Sequence, residues 1–321
     1  MGINDSILAK PVTQPLVSVV MPAYNHGAYV ESAVRSVWSM DYRPMELIVL
    51  NDGSTDDTLE ILRRLEADSP IRMLVIDKQN EGICKTLNDG LGLANGKYIT
   101  FLASDDEFVV GRQMLHIELL EANSSIDVAG CYGMKIIIDE KGNAKGGAVA
   151  QKQGCDDDFL SLVSFKSKFS LQGSTFKAEV VKKLRFDESL SYEDWDFFFR
   201  LILEYKLIYV PEVSFRYRSL STGLNRNMDS ISNSRMSVVN KYKEHPRIRE
   251  YGIRKFKSNC ELMNARGYFQ IGGFKNARKW LFRSYLTFPS VSIEAMALAV
   301  KILLGPNCVA FARRVKRLLG F

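Results

Sequence analysis

Four apolar runs in the first third of the chain have the pattern of buried β-strands. They are LVSVVMPAYN (residues 16–25), MELIVLNDGSTDD (45–57), IRMLVID (71–77) and KYITFLASDD (97–106). Between them, apolar residues recur at helical spacing over about 28–39, 56–66 and 82–94. Because strands that alternate with helices form parallel sheets with right-handed crossovers, we expect an α/β fold with a mostly parallel, Rossmann-like sheet flanked by helices.

Each of the four apolar runs ends in polar residues that are rich in oxygen atoms. The ends are Tyr24-Asn25, Asn51-Asp52-Gly53-Ser54, Asp77 and Asp105-Asp106. In sheets of this kind, ligands bind beyond the carboxyl ends of the strands. The four polar ends are therefore predicted to form one site at one edge of the sheet.

The chain beyond residue 125 has a different pattern. Residues 125–150 indicate a strand pair around a Glu-Lys-Gly-Asn turn, and short helices, a long aromatic helix near 193–205 and a final strand near 207–217 are expected after it. Residues 230–285 are predicted to be helical, with a boundary near Gly223 to Asn227. We therefore expect a flexible N-terminus (1–15), an α/β domain (16–225) and a helical C-terminal region (226–321).

The positive charge of the chain is concentrated at its C-terminal end. The formal net charge is +6; residues 295–321 carry five basic side chains and no acidic one, so 38 basic residues stand against all 37 acidic ones in residues 1–294. The segment is also apolar, yet it is too short and too charged to span ~30 Å of hydrocarbon. Two interpretations stay open, which are a basic amphipathic segment on an anionic membrane surface and a solvated helix that packs on the body.

The cysteines and the first 15 residues of the chain indicate the cellular compartment in which the protein is expected. The five cysteines are odd in number and lack Cys-x-x-Cys spacing, which argues against a disulfide framework or a zinc knuckle and indicates a reducing cytosol. Residues 1–15 are polar and contain no continuous apolar stretch, so neither a secretory signal nor a membrane anchor is expected. We predict a cytoplasmic protein, with the tail as the part that would associate with the inner face of the cytoplasmic membrane.

The adjacent carboxylates of Asp105 and Asp106 raise a question of charge. Two carboxylates this close repel each other unless water screens them or a cation binds them. The three histidines of the chain are not paired at metal-ligand spacing, so a bound metal would be held by oxygen atoms, which favours Mg²⁺ or Mn²⁺ over zinc. Such ions complete their shell with substrate phosphates, and this implies a diphosphate ligand. The alternative is that the aspartates only cap the next turn.

The ends of the first two strands have the residues of a nucleotide slot. Asp52 can accept a hydrogen bond from a ring N–H or a ribose hydroxyl, and Gly53 permits close approach of a flat base. Pro22-Ala23-Tyr24-Asn25 would form the other wall, with Tyr24 as the stacking residue. The alternative for residues 52–58 is a helix N-cap, and we expect Asp56 or Ser54 to have that role.

Four segments together resemble family 2 glycosyltransferases in order and spacing. They are VSVVMPAYNHGAYVESAVRSVW, ELIVLNDGSTDDTLEIL, NEGICKTLNDGLGLANGKYITFLASDD and YEDWDFFFRL, and the resemblance covers about residues 16–218. It implies the A-type nucleotide-sugar fold and an inverting, metal-dependent transferase with a nucleoside-diphosphate-sugar donor, UDP-sugars being favoured. The domain over 16–225 would then be the catalytic domain.

The resemblance also implies roles for individual residues. Asp52 would lie near the base, Asn88 in the donor site, and Asp105 and Asp106 would be the metal and ribose ligands of a DxD-type motif. Asp194 of YEDWD would be the catalytic base. Burial beside Trp195 and the neighbouring Glu193 would both raise the pKa of Asp194 towards a working value, whereas the alternative is that Glu193 and Asp194 only complement the helix dipole.

The chain departs from the family pattern at two places. Ala103 occupies a position where many relatives carry an aspartate. The segment FRYRSLSTGLN lacks the histidine that some relatives place after this strand. We expect that the diphosphate is bound instead by Arg216, Arg218, Ser221 or Thr222, or that the metal is held more loosely. The QxxRW motif of processive relatives is absent, which favours transfer of one sugar per encounter.

Other functions fit the sequence less well. A sugar-phosphate nucleotidyltransferase would have a glycine-rich basic loop where this chain has MPAYNHG, and a non-catalytic nucleotide-binding module would leave Asp194 unexplained. Nucleic acid is not expected as a partner, because the basic excess lies in the tail and is not interleaved with aromatic residues on a sheet. The resemblance suggests a glycan or lipid-linked glycan acceptor in surface polysaccharide or lipopolysaccharide biosynthesis.

Overall fold

The structure is a computed structural model of the whole chain. It describes residues 14–123, 125–147, 158–164, 169–190, 192–220, 227–289 and 295–305. Most of the predicted N-terminal segment, Ser221 and Thr222, and the tail beyond residue 305 lie outside the described residues. The chain divides into two compact units, each of which is described by itself. Unit 1 comprises Met1–Gln151, Phe169–Glu188 and Arg200–Ser219, and unit 2 comprises Lys152–Lys168, Ser189–Phe199 and Leu220–Phe321.

The first unit is built on an eight-stranded sheet within the described residues. Its strands are β1 (Val17–Ala23), β2 (Met45–Asp52), β3 (Arg72–Lys78), β4 (Tyr98–Phe101), β5 (Glu107–Phe108), β6 (Val128–Ile138), β7 (Ser174–Lys177) and β8 (Lys206–Arg218). The order across the sheet is β3-β2-β1-β4-β7-β6-β8-β5. The pairs β1/β2, β2/β3, β1/β4 and β6/β8 are parallel, while β4/β7, β6/β7 and β5/β8 are antiparallel. The sheet is therefore mixed, with a parallel half formed by the four strands that the sequence predicts.

The register of the parallel half brings the strand ends to one edge. Ala23 lies opposite Asn51, and Asn51 lies opposite Asp77. On the other side of β1, Val20 lies opposite Phe101, three residues before Ser104 and the two aspartates. Strands β1 and β2 are buried almost throughout, which explains their continuous apolar runs. The predicted clustering of the polar ends at the carboxyl edge is confirmed for β1, β2 and β3.

The predicted strand pair over residues 125–150 is wrong in its second strand. Residues 128–138 form β6, but in the described residues after the turn, which reach residue 147, the chain returns only as an isolated bridge between Ile138 and Ala144. Instead, β6 pairs with β7 and β8, which lie farther along the chain. The apolar stretch GCYGMKIII is long enough for a central strand, and central strands take their partners from wherever the fold supplies them.

The helices of this part of the chain are α1 (Gly27–Trp38), α2 (Thr58–Ala67), α3 (Ile83–Leu93), α4 (Arg112–Ala122), α5 (Asp158–Val163), α6 (Ala178–Leu184) and α7 (Asp194–Glu204). Helices α1 to α4 and α6 belong to unit 1, α5 belongs to unit 2, and α7 begins in unit 2 and ends in unit 1. The three helices predicted between the first four strands are confirmed, and so is the aromatic helix near 193–205. Helix α1 buries Val30, Val34 and Val37, which recur at helical spacing and pack against the parallel half of the sheet.

The second unit contains the helical C-terminal region. Its helices are α8 (Met228–Tyr242), α9 (Pro246–Tyr251), α10 (Ile253–Gln270), α11 (Phe274–Thr287) and a last one, α12, over residues 295–305. A small apolar core joins four of them through Met228, Ile231, Ala265, Tyr268, Ala277 and Ile302. Of the helices that the structure describes, none is both long and apolar enough to cross a bilayer. The predicted boundary after residue 225 falls close to the start of α8 and stays a prediction.

Candidate active site

The end of β1 presents an aromatic side chain at the carboxyl edge. Pro22 and Ala23 are the last residues of the strand, and Ala23 is buried. Tyr24 follows directly and is 45% exposed. Since a large aromatic ring is seldom left this open without a partner, the position suits a residue that stacks on a flat ligand.

Asn25 has a structural task in the turn that follows β1. It adopts a left-handed backbone conformation with φ 54°. Its Oδ1 accepts a hydrogen bond from the N–H of Thr55 at 2.7 Å, and its own N–H donates to Ser54 Oγ at 3.0 Å. Asparagine tolerates this conformation better than most residues. Asn25 therefore ties the β1–α1 turn to the turn after β2.

Asp56 connects the N-termini of two helices. Its Oδ1 accepts from the N–H of Thr58, the first residue of α2, and its Oδ2 accepts from the N–H of Gly27, the first residue of α1. Burial opposes ionisation here, but the hydrogen bonds from Thr58 and Gly27 outweigh it and lower the pKa of Asp56. The expected capping role thus belongs to Asp56, while the hydroxyl of Ser54 donates to Asn51 Oδ1.

Asp52 supports a neighbouring turn. It is buried, and its two carboxylate oxygens accept from the backbone N–H groups of Glu81 and Gly82 at 2.9 and 3.1 Å. A carboxylate has about four lone-pair directions, so these bonds leave capacity for a further donor. The structure therefore shows what orients Asp52, and its predicted contact with a base stays a prediction.

Gly53 is required for a reason that the sequence did not reveal. It has φ +72°, and a Cβ at this position would lie 2.7 Å from the backbone nitrogen of Asn80. The close approach that Gly53 permits is thus that of the chain after β3. The predicted approach of a base to Gly53 stays a prediction.

Replacing Gly53 with alanine is expected to destabilise unit 1 by at least about 1–2 kcal/mol, because an L-residue pays for the left-handed conformation and must also displace Asn80. The free energy of unfolding in urea measures this effect. Gly92→Ala is the matched control, since Gly92 lies in α3 with nothing within 4 Å of its added Cβ, and it should leave stability unchanged or raise it. Equal effects of the two substitutions would contradict the assignment.

Asp105 and Asp106 follow β4 in a buried turn that is held by long-range contacts. Oδ1 of Asp106 accepts from the backbone N–H of Arg218 at 2.7 Å. Oδ2 of Asp106 is buried, and no hydrogen-bond partner for it lies among the residues that the structure describes. Burial raises the pKa of both carboxyl groups, and the charge of Asp105 raises that of Asp106 further. Two adjacent carboxylates with an unused buried oxygen therefore call for a positive partner.

Asp105 and Asp106 suit a Mg²⁺ or Mn²⁺ ion that takes only some of its ligands from the protein. They suit less well a metal whose ligands are all protein side chains. In the described part of the chain, no group of three or more His, Cys, Asp or Glu side chains could hold a metal ion by itself. Mg²⁺ commonly binds through one or two carboxylates and takes water and substrate phosphate oxygens for the rest. The donor set of Asp105 and Asp106 matches that requirement.

Sequence reasoning missed two side chains near the aspartates. His26 Nδ1 lies 2.8 Å from Ser104 Oγ and 4.0 Å from Asp105 Oδ1. Glu107 pairs with Arg218 at 2.6 Å and with Arg216 at 3.3 Å. His26 follows the PAYN turn directly and Glu107 follows Asp106, so adjacency to the motifs was the only signal available.

Arg218 is committed to the turn around the aspartates. Its Nε donates to the carbonyl oxygen of Asp105, its Nη1 to the carbonyls of Asp139 and Glu140, and its Nη2 to Glu107, and the side chain is 4% exposed. These contacts give Arg218 a positioning role, and its predicted contact with a diphosphate stays a prediction. Arg218 holds both aspartates and the 139–140 turn in place.

Arg216 keeps part of its surface open. Its Nη2 donates to the carbonyl of Gly142 and its Nε lies 3.3 Å from Glu107, but 40% of the side chain is exposed. A guanidinium in such a position can contact phosphate oxygens. Of the two predicted arginines, Arg216 is the more exposed candidate for the diphosphate.

Asn88 is held by contacts within the protein. It is buried, its Nδ2 donates to the carbonyl of Phe186 and to Glu188, and its Oδ1 accepts from the N–H of Phe186. These bonds fix the segment after α6 against α3. The amide is engaged at both ends, and the predicted donor contact stays a prediction.

Asp194 begins α7, and its surroundings within unit 2 are aromatic. Trp195 stacks on Phe256 with ring centroids 5.8 Å apart. Asp196 is buried, and its Oδ1 lies 3.2 Å from both Lys241 Nζ and the Tyr242 hydroxyl. Loss of hydration, and after it the charge of Asp194, raise the pKa of Glu193 to about 8. The start of α7 thus holds two adjacent carboxyl groups, and burial disfavours the charged form of Glu193.

The raised pKa of Glu193 predicts a pH-dependent stability. Its usual value is 4.5, so the folded state binds this proton more tightly than the unfolded state does. The stabilisation is complete below pH 4.5 and is lost as the pH rises through about 8. Glu193→Gln keeps a neutral side chain, so its free energy of unfolding should fall less than that of the wild type between these limits. Chemical denaturation at several pH values measures this difference.

Glu204→Gln serves as the control for that experiment. Glu204 ends the same helix, and among the described residues its side chain forms an exposed pair with Lys183 at 3.5 Å. Its pH profile should match the wild type. An unchanged profile for Glu193→Gln would contradict the assigned proton.

Comparison with known proteins identifies the family. Residues 18–154 match the model of Glycosyl transferase family 2. An uncharacterised glycosyltransferase of Haemophilus influenzae is 30% identical over 196 residues, which cover 61% of this chain and 75% of the relative. The GalNAc(5)-diNAcBac-PP-undecaprenol beta-1,3-glucosyltransferase of Campylobacter jejuni is 26% identical over 304 residues, which cover 90% of this chain and 93% of that relative.

Two solved structures show the same fold. S. aureus TarS 1–349 in complex with UDP-GlcNAc has a TM-score of 0.61 at 16% identity and covers 88% of this chain and 83% of its own. The mannosyltransferase PcManGT of Pyrobaculum calidifontis, in complex with GDP-Man and Mn²⁺, has a TM-score of 0.58 at 18% identity, with 90% and 80% covered. The expected A-type fold is thereby confirmed. The chain belongs to glycosyltransferase family 2 and is a glycosyltransferase.

Proposed function

We propose that this glycosyltransferase transfers a single sugar from a nucleoside-diphosphate-sugar, with UDP-sugars favoured, to a hydroxyl group of a glycan or lipid-linked glycan. The acceptor class is supported by the Campylobacter relative, whose name specifies an undecaprenol-linked glycan. The donor class is supported by the two structural neighbours, which are complexes with UDP-GlcNAc and GDP-Man. A role in surface polysaccharide or lipopolysaccharide biosynthesis and a cytoplasmic location belong to the same proposal.

The main support for the proposal is Oδ2 of Asp106 at the carboxyl edge of the sheet, for which no hydrogen-bond partner lies among the described residues. Asp106 is buried, beside Asp105, with one oxygen that has no partner among the described residues. A structural cap would have used that oxygen. A divalent cation that also binds a diphosphate would satisfy it, so the capping alternative is disfavoured.

The residues around this edge divide into donor-binding and supporting groups. We assign Tyr24 to stacking on the base, with Pro22, Ala23 and Asn25 as the wall, and Asp52 to a ring N–H or ribose hydroxyl. Arg216 would contact the diphosphate. The supporting residues would be Arg218, Gly53 and Asn88, whose described contacts lie within the protein.

Asp105 and Asp106 would hold Mg²⁺ or Mn²⁺. When bound, the ion would stabilise the negative charge that develops on the leaving diphosphate. The protein's own part is to bring both carboxylates to one place and to fix their orientation. Arg218 does so through its backbone N–H to Asp106 and its Nε to the carbonyl of Asp105.

The acceptor hydroxyl needs a base, and we assign that role to Asp194. A carboxylate within hydrogen-bond reach of the hydroxyl can take its proton as the oxygen attacks the anomeric carbon. Attack on the face opposite the leaving diphosphate inverts the configuration.

A thermal-shift panel tests the proposed donor. UDP-, GDP-, dTDP- and CMP-linked sugars are added with and without Mn²⁺, since a ligand that binds only the folded state raises the melting temperature by mass action. At a concentration 100 times the Kd, the gain is about 2.7 kcal/mol. We expect a Mn²⁺-dependent rise with UDP-sugars. No shift with any nucleotide would contradict the proposal, and a shift with another base would correct the donor class.

A further inference from the structure

Helix α11 exposes large apolar side chains on one face. Phe282, Tyr285 and Leu286 are 64, 63 and 62% exposed. They lie at positions i, i+3 and i+4, so they form one stripe on the helix surface. Lys275 and Lys279, also exposed, continue this stripe towards the N-terminus of the helix. The stripe is therefore basic in its first half and apolar in its second.

The opposite face of α11 already supplies the packing that the helix needs. Ala277 and Ser284 are buried, and Trp280 and Leu281 pack against the small apolar core of unit 2. The exposed stripe is thus additional apolar surface, which costs free energy in water. Single exposed apolar residues are common, but a contiguous row of them marks an interaction site.

Helix α12 packs beside α11 and also exposes apolar side chains. Ile302 and Leu298 pack with Ala277 of α11, and Arg278 of α11 donates to the carbonyls of Ile302 and Leu303. The outer face of α12 exposes Met296, Val300, Leu303 and Leu304 to 51–61%. Apart from Lys301, α12 is apolar on both faces, as expected of a helix whose second face has a nonpolar partner.

Charge indicates the partner. Residues 274–305 contain five basic side chains, Lys275, Arg278, Lys279, Arg283 and Lys301, against the single acid Glu294. A second copy of the same surface would bring like charges together, which disfavours a symmetric dimer. Apolar side chains beside lysines match the interface of a bilayer, where the former enter the acyl boundary and the latter meet anionic headgroups.

We propose that the α11–α12 surface, defined by Lys275, Lys279, Phe282, Leu286, Val300 and Leu304, docks on an anionic phospholipid bilayer. The protein would lie on the membrane, since no helix among the described residues can span it. Of the two interpretations of the tail, the proposal favours the segment that lies on an anionic membrane surface. It also includes α11 in the membrane-binding surface, although the sequence did not single out this helix. The proposal does not depend on the proposed donor chemistry. Membrane docking can therefore be wrong while the proposed donor chemistry is right.

Vesicle sedimentation of the full chain tests the surface. We expect the protein to sediment with vesicles of phosphatidylglycerol and phosphatidylcholine and to stay in solution with phosphatidylcholine alone. Each basic side chain near an anionic surface adds about fivefold to binding. Lys275→Glu/Lys279→Glu should therefore weaken binding by at least about 25-fold. Phe282→Ser/Leu286→Ser should also weaken it by at least tenfold, ~0.8 kcal/mol being lost per buried CH₂.

Matched controls separate this surface from general effects. Lys206→Glu/Lys243→Glu changes the net charge equally at exposed positions elsewhere, and Ile126→Ser removes an apolar side chain that is 82% exposed. Both controls should bind like the wild type. Absence of binding to anionic vesicles, or equal losses in controls and test variants, would overturn the proposal. So would a dimer in light scattering that Phe282→Ser/Leu286→Ser dissociates while vesicle binding is unchanged. The thermal-shift panel should give the same result for all these variants.

Discussion

Asp106→Asn is expected to abolish the Mn²⁺ dependence of nucleotide binding and to slow sugar transfer by about 10²- to 10³-fold. Asparagine has nearly the volume of aspartate, and its carbonyl oxygen can still accept from the backbone N–H of Arg218. The substitution removes the negative charge beside Asp105 and the buried oxygen that lacks a partner in the described structure. It thus removes the proposed metal ligand without opening a cavity.

Calorimetric titration of UDP, with and without Mn²⁺, measures the effect of Asp106→Asn on binding. Asp127→Asn is the control, because Asp127 is exposed and its described hydrogen bonds are made by backbone atoms, its N–H to Ser125 Oγ and its carbonyl to the N–H of Lys206. The melting temperature without metal should not fall in Asp106→Asn, since one of two adjacent like charges is gone. Nucleotide binding that stays metal-dependent in this variant would place the metal elsewhere.

Asp194→Asn is expected to lower kcat by about 10²- to 10⁴-fold while the affinity for the donor stays close to that of the wild type. The amide cannot take a proton from the acceptor hydroxyl. The aromatic packing at the start of α7 should persist, because Trp195 stacks on Phe256 and Asp196 contacts Lys241, neither of which depends on the replaced carboxylate. A loss in kcat with unchanged donor binding is the signature of a group that acts in the chemical step.

Glu204→Gln is the control on the same helix, since the partner of Glu204 in the described part of the chain, Lys183, is exposed. Its turnover should equal that of the wild type. Turnover of Asp194→Asn at the wild-type rate would remove Asp194 as the base. An equal loss in donor affinity and in kcat would instead indicate that the substitution disturbs the fold of α7.

The sequence predicted the parallel half of the sheet because each of its strands is a continuous apolar run with a turn at its end. Strands β5 and β7 have two and four residues, too few for a period to be visible, and both pair antiparallel with strands far along the chain. The second strand expected after residue 138 failed for the same reason. Strand pairing at long range is decided by the whole fold and not by a local pattern.

Site residues divided in the same way. Tyr24, Asp105 and Asp106 were found from their places at strand ends. The engagement of Arg218 with Asp106 spans 112 residues, and that of Asn88 with Phe186 spans 98. Hydrogen bonds at such separations leave no trace in a single sequence. In a single sequence, an arginine or amide that contacts a ligand therefore cannot be distinguished from one whose hydrogen bonds are made within the protein.

Anomalous X-ray scattering from Mn²⁺ in crystals grown with UDP tests the central claim most directly. The account predicts one strong peak with carboxylate oxygens of Asp105 and Asp106 at ~2.1 Å, and the nucleotide base against Tyr24. The same crystals of Asp106→Asn should show no peak at this position. A Mn²⁺ ion bound away from both aspartates, or a nucleotide away from the carboxyl edge of β1 and β2, would contradict the account.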